Sequence, residues 1–81
     1  MQPVWADADI AAMRAALEQA RQSAELGEIP VGAVVVVGGD IVAAAHNLTI
    51  TEHDPSGHAE IVALRAAGRQ LGNHRLSNAT L

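Results

Sequence analysis

Val31-Gly32-Ala33-Val34-Val35-Val36-Val37, then Gly38-Gly39-Asp40, then Ile41-Val42-Ala43-Ala44-Ala45: this stretch decides the fold class. A β-branched run of strand length meets a glycine-rich turn and a second apolar run, so the stretch reads as a β-hairpin. Neither strand alternates polar with apolar residues, and a sheet of that kind must be covered on both faces. The expectation is a layered α/β arrangement, with helices supplied from either side of the hairpin.

On the N-terminal side, residues 7–26 read as an amphipathic helix. Ile10, Met13, Leu17, Ala20 and Ala24 recur at three- and four-residue steps and form one apolar stripe of the kind that faces a core. Asp7 or Asp9 can cap its start, Gly27 offers a left-handed stop, and Pro30 forbids continuation. On the C-terminal side, residues 46–57 form a polar loop. A second helix is expected to open at Asp54-Pro55-Ser56, with Asp54 as N-cap and Pro55 in the first helical position. Ile61, Val62, Leu64 and Leu71 supply its apolar side, and Gly68 and Gly72 both offer stops. Asn78-Ala79-Thr80-Leu81 reads as the opening of a third strand.

The chain has 81 residues, 49% of them hydrophobic, which excludes a disordered polar tail and allows at most one small domain. Alanine accounts for 17 residues, there is one tryptophan (Trp5, read as a packing anchor), and there is no Phe or Tyr, so the core is thin for the length. The absence of cysteine rules out a disulfide-stapled miniprotein and any zinc site built on thiolates of these residues. No segment approaches the ~20 apolar residues that span a bilayer, and the start lacks the pattern of a secretory signal. The expected location is the cytoplasm, with no membrane partner. Charge is uneven: residues 1–60 hold nine acids against Arg14 and Arg21, whereas residues 61–81 hold Arg65, Arg69 and Arg75 with no acid. That end could face an anion, although three arginines on a solvated surface explain it equally well.

The residues richest in chemistry are His53-Asp54-Pro55-Ser56-Gly57-His58-Ala59-Glu60. His-x-Glu by itself is a weak motif, and residues two apart on a helix diverge by about 200°. At a helix opening the objection weakens, because Cα–Cβ bonds lean toward the N-terminus. A metal off the helix end could then take His58 while Glu60 serves a proton, as in the zinc deaminase signature His-x-Glu followed by Pro-Cys-x-x-Cys.

The context extends the motif. Glu28-Ile29-Pro30-Val31-Gly32-Ala33-Val34-Val35-Val36 comes first, then Asn47, then Asp54-Pro55-Ser56-Gly57-His58-Ala59-Glu60-Ile61-Val62-Ala63-Leu64-Arg65, then Asn73-His74-Arg75-Leu76-Ser77-Asn78-Ala79-Thr80-Leu81. In this order and spacing the segments resemble the bacterial tRNA-specific adenosine deaminases of the cytidine-deaminase-like superfamily, over nearly all of this chain and about the N-terminal half of the family's domain. The resemblance implies a three-layer α/β/α fold around a mixed five-stranded sheet, cut here to helix–hairpin–helix and the start of a third strand. Residues 1–81 would then be the N-terminal part of a single deaminase domain. It also implies a homodimer with one Zn2+ per subunit, acting on the tRNA anticodon loop to turn wobble adenosine into inosine. By the same resemblance His58 is a zinc ligand, Glu60 is the catalytic proton carrier, Asn47 contacts the target nucleotide and Val31 lines the base pocket. Gly32 is expected to let backbone approach the base.

The departure from the family pattern is the missing pair of cysteine ligands. His46, His53 and His74 form no known zinc spacing with His58, and each is read as a loop or surface residue. The 81 residues alone are therefore expected to be inactive, with Pro-Cys-x-x-Cys encoded within roughly ten residues after Leu81 in the intact gene. Two other readings stand beside this one. The chain could belong to a cytosine, guanine or cytidine deaminase of the same superfamily. It could also be a non-catalytic short chain that associates through an open sheet edge.

Overall fold

Gly38 and Gly39 close the hairpin with φ of 58° and 85°, a two-residue turn with both central residues left-handed, which matches the twist of the flanking strands. The computed structural model describes residues 6–81, and Trp5 lies outside them. In chain order the elements are α1 (Asp7–Glu25), β1 (Gly32–Val37), β2 (Asp40–His46), α2 (Ala59–Leu71) and β3 (Ala79–Thr80). Strand order is β2-β1-β3, with β1 antiparallel to both neighbours. Val35 pairs with Ala43 and Val36 with Ile41, so Val42 is an extra residue that bulges β2. β3 meets β1 at Val36↔Thr80 and Val37↔Ala79, where the sequence places a third strand.

Alternation along β1 splits its side chains between two helices. Val35, Ala43 and Ala45 pack with Ala63 and Ala67 of α2, flanked by Val62, Leu64, Leu76 and Ala79. Gly32 and Val34 belong to the other face, under α1. The layered α/β/α reading therefore holds.

Four local expectations are corrected. The cap of α1 is Ala6, whose carbonyl accepts the amides of Asp9 and Ile10; Asp7 and Asp9 lie inside the first turn, where the helix dipole favours them. The apolar stripe of α1 is not its packed face, because Ile10, Met13 and Leu17 are exposed. Backbones meet too closely for large side chains there: a Cβ on Gly32 would stand 2.0 Å from the Ala16 carbonyl oxygen and 2.6 Å from the Ala20 nitrogen. Gly32 is thus demanded by helix seating, in place of the approach to a base expected from the sequence. Finally, α2 opens at Ala59, not at Asp54-Pro55-Ser56. The Asp54 carboxylate is spent in a local turn, accepting from the Ser56 amide at 2.9 Å and the Ser56 hydroxyl at 2.7 Å. Of the two candidate stops, Gly72 (φ 63°) is used: its amide reaches Arg69 O, and that of Asn73 reaches Gly68 O, a Schellman closure.

Candidate active site

The site is built where β2 runs out. Asn47 follows His46 and is buried, although a polar side chain there needs partners. Partners meet its backbone and its side-chain oxygen. Its backbone amide donates to Val31 O at 3.2 Å, and its carbonyl lies 3.3 Å from Ser23 Oγ and 3.1 Å from His46 Nδ1. Its side-chain Oδ1 accepts the Ala59 amide at 2.9 Å. Ala59 is the first residue of α2, so Asn47 supplies from a distance the acceptor that an N-cap side chain normally gives.

This single contact settles how the motif is displayed. His58 occupies the N-cap with extended backbone (φ −71°, ψ 146°), and its side chain makes no capping bond. Ala59 is wholly buried while His58 and Glu60 on either side are exposed. The wide divergence expected for two helical residues does not apply, because His58 lies outside the helix. Glu60, in the first turn, has its negative charge favoured by the helix dipole.

The intervening loop is closed at its base by Leu48 N–H donating to Gly57 O at 2.8 Å. Within it, Asp54 N–H donates to Thr49 O at 3.0 Å, and His53 takes a left-handed conformation (φ 51°). The Asp54 carboxyl is held below its ordinary value by the Ser56 hydroxyl and amide, against partial burial.

Glu28, which the sequence reading quoted but gave no role, is the hidden member of this neighbourhood. Only 5% exposed, its carboxylate accepts from Thr51 N and Thr51 Oγ1 (2.6 Å each), Ile50 N (3.2 Å) and Thr49 Oγ1 (3.3 Å). Burial pushes its pKa up, but the bonds from Thr51, Ile50 and Thr49 together outweigh it and leave the group below the ordinary range. The available signal was an acid directly after the helix-stop glycine, in a segment otherwise apolar. Ser23 was also missed. It is completely buried, with Oγ donating to Ile29 O at 2.9 Å.

The structure thus ties Val31 to the backbone of Asn47, and the segment 58–60 to its side chain through Ala59. It does not form a metal centre by itself. Among the described residues, no three His, Cys, Asp or Glu side chains are placed to hold a metal ion, and the sequence has no cysteine. The uncapped His58 imidazole suits a ligand, but one donor does not make the three- or four-ligand set that zinc requires.

Residues 6–81 match the model of the cytidine and deoxycytidylate deaminase zinc-binding region. The chain belongs to this deaminase family. Zinc is the family's metal, as the resemblance implied. Against the tRNA-specific adenosine deaminase of Bacillus subtilis (strain 168), the chain is 45% identical over 69 residues, covering 85% of itself and 43% of that protein. The corresponding enzyme of Haemophilus influenzae is 50% identical over 70 residues, covering 85% and 40%. A solved structure from a study of A-to-I editing by tRNA:A34 deaminases at the wobble position superposes with TM-score 0.84 at 40% identity, covering 86% of this chain and 51% of that one. The guanine deaminase of Bacillus subtilis gives TM-score 0.81 at 34% identity, covering 86% and 45%. The cytidine-deaminase-like fold is therefore established. The chain spans less than half the length of the curated relatives named here. Among the described residues, no helix is long and apolar enough to cross a membrane.

Proposed function

We propose that residues 1–81 are the N-terminal part of a deaminase domain that hydrolyses wobble adenosine in a tRNA anticodon loop to inosine and ammonia. The supporting observation is Asn47 locked to the opening of α2, which exposes His58 and Glu60 on either side of a buried alanine. In this reading His58 gives one zinc ligand and the others come from residues outside this sequence, expected as Pro-Cys-x-x-Cys. Zinc, when bound, supplies Lewis acidity.

The chain's own residues do the rest. Glu60 carries the first proton of the attacking water to the ring nitrogen as the C6–O bond forms, then carries the second, from the new C6 hydroxyl, to the departing amine as the C6–N bond breaks, so that one water is consumed and one ammonia released. Its exposure at the helix opening gives it access to both partners. Asn47 has its Oδ1 committed to Ala59, so its NH2 group remains to donate to an acceptor atom of the nucleotide. Val31, whose carbonyl is fixed by the Asn47 amide, keeps its half-exposed side chain for the wall of the base pocket. A homodimer and a cytoplasmic site of action follow from the same family resemblance; sedimentation and cell fractionation check them.

The test is the full-length protein assayed on an anticodon stem-loop. Glu60→Ala should lower turnover by roughly 10²- to 10⁴-fold while metal analysis still finds stoichiometric zinc. Loss of zinc in that variant would reassign Glu60 as a ligand. The guanine deaminase superposition favours a second reading, a free-base deaminase. Turnover of guanine, cytosine or cytidine with none on the stem-loop would select it.

A further inference from the structure

Two backbone segments meet through the side chain of Glu28: the α1–β1 connector, which also carries Val31, and the loop 48–57, which runs from Asn47 to His58. The ends of the loop are fixed by Asn47 and by the Leu48–Gly57 bond. Its middle is held by short-range backbone bonds, and a side chain from outside the loop grips it as well. The Glu28 carboxylate reaches from the connector and takes donors from Thr49, Ile50 and Thr51, two hydroxyls and two amides. Every one of these partners donates, so the clasp requires an acceptor-only group, which an ionised carboxylate is and a carboxamide is not. Glu28 sits three residues before Val31, and Thr51 two before the left-handed His53, so the clasp fixes the two segments relative to each other.

We infer that Glu28 is a positioning residue: it sets the gap between the Val31 segment and the 49–53 loop into which the target base enters. The inference rests on the deaminase reading above. Glu28 touches no reacting atom; it acts through the placement of the loop. Displacements of about an ångström in groups that position substrate are costly out of proportion to their size, and a loosened loop weakens capture of a splayed nucleotide more than the proton transfers at Glu60.

The experiment compares the full-length, zinc-loaded protein with Glu28→Gln and with Val35→Ala, a core truncation under α2 that does not touch the loop. Steady-state kinetics on an anticodon stem-loop should show KM raised roughly tenfold in Glu28→Gln with kcat nearly unchanged, and KM unchanged in Val35→Ala even where that variant melts earlier. Amide exchange at Ile50 and Thr51 should quicken in Glu28→Gln alone. Introducing Thr51→Val beside Glu28→Gln should add little further loss, because both remove the same link. An unchanged KM in Glu28→Gln overturns the inference, and so does an equal KM rise in Val35→Ala, which would mark a general stability effect. If the wild-type protein itself turns over no stem-loop, the deaminase reading fails first, a result distinct from a normal wild type with an indifferent Glu28 variant.

Discussion

The two faces of the sheet are both roofed by alanine-rich helices, yet they are closed in different ways. Under α2 the contact is dry: Ala59, Ala63 and Ala67, spaced one turn apart, are each 0% exposed, and the last two pack with Val35, Ala43 and Ala45. Under α1 the one wholly buried side chain of the helix is Ser23, and the larger apolar residues Met13 and Leu17 are each 61% exposed. The α1 side is held by close backbone approach at Gly32 and, at its C-terminal end, by polar links through Ser23 and Glu28. A helix settles where backbones come nearest, and small residues win that place over a longer apolar stripe.

Three measurements would break or sharpen the contrast. The largest effect belongs to Gly32→Ala, whose new methyl carbon would fall 2.0 Å from Ala16 O. It should cost about 3 kcal/mol in urea unfolding, and a loss below about 0.5 kcal/mol would show that α1 is not seated on β1.

A smaller effect is expected from acid. The folded-state pKa of Glu28 lies below the ordinary 4.5, so its contribution is fully present above that value and is lost as pH falls through the lowered one. Amide exchange at Ile50 and Thr51 should therefore accelerate below pH 4.5 while the α2 amides over the dry face hold. Simultaneous loss would mean that the polar and apolar faces open as one unit.

The smallest change should come from the outward side of α1, where Arg21 pairs with Glu18 at 2.6 Å and with Glu25, and the Arg21 hydrogen bond holds Glu18 down to about 2. These groups are exposed and screened, so Arg21→Ala should leave the urea midpoint at wild-type value in ordinary salt. A clear drop would give the outer face a share in holding the helix.

Much of this was legible in the sequence, and for identifiable reasons. The hairpin, the extent of α1 and the start of β3 follow from local chemistry: the Gly38-Gly39 turn, the Gly27 and Pro30 stop, and the return to strand-forming residues at Ala79. The opening of α2 was misplaced because Asp54 and Pro55 carry cap signals that the chain uses for a turn, while the true acceptor, Asn47, is twelve residues away. Gly32 was given to a base because a sequence does not show which surface claims a missing side chain. Glu28 escaped because its partners are more than twenty residues distant. The misread cases are non-local contacts; the correct ones are punctuation within a few residues.

The row of methyl groups along α2 has a consequence for the motif at its head. Ala63 and Ala67 fit the sheet like a key in its slot, so the helix cannot roll about its own axis without driving a larger neighbour into the core. Each residue step turns the helix by ~100°, so even a slight roll would swing Glu60 to a new bearing. The aim of that carboxylate is thereby set by plain hydrocarbon one and two turns further along, and bulk added there would misdirect the proton carrier from afar.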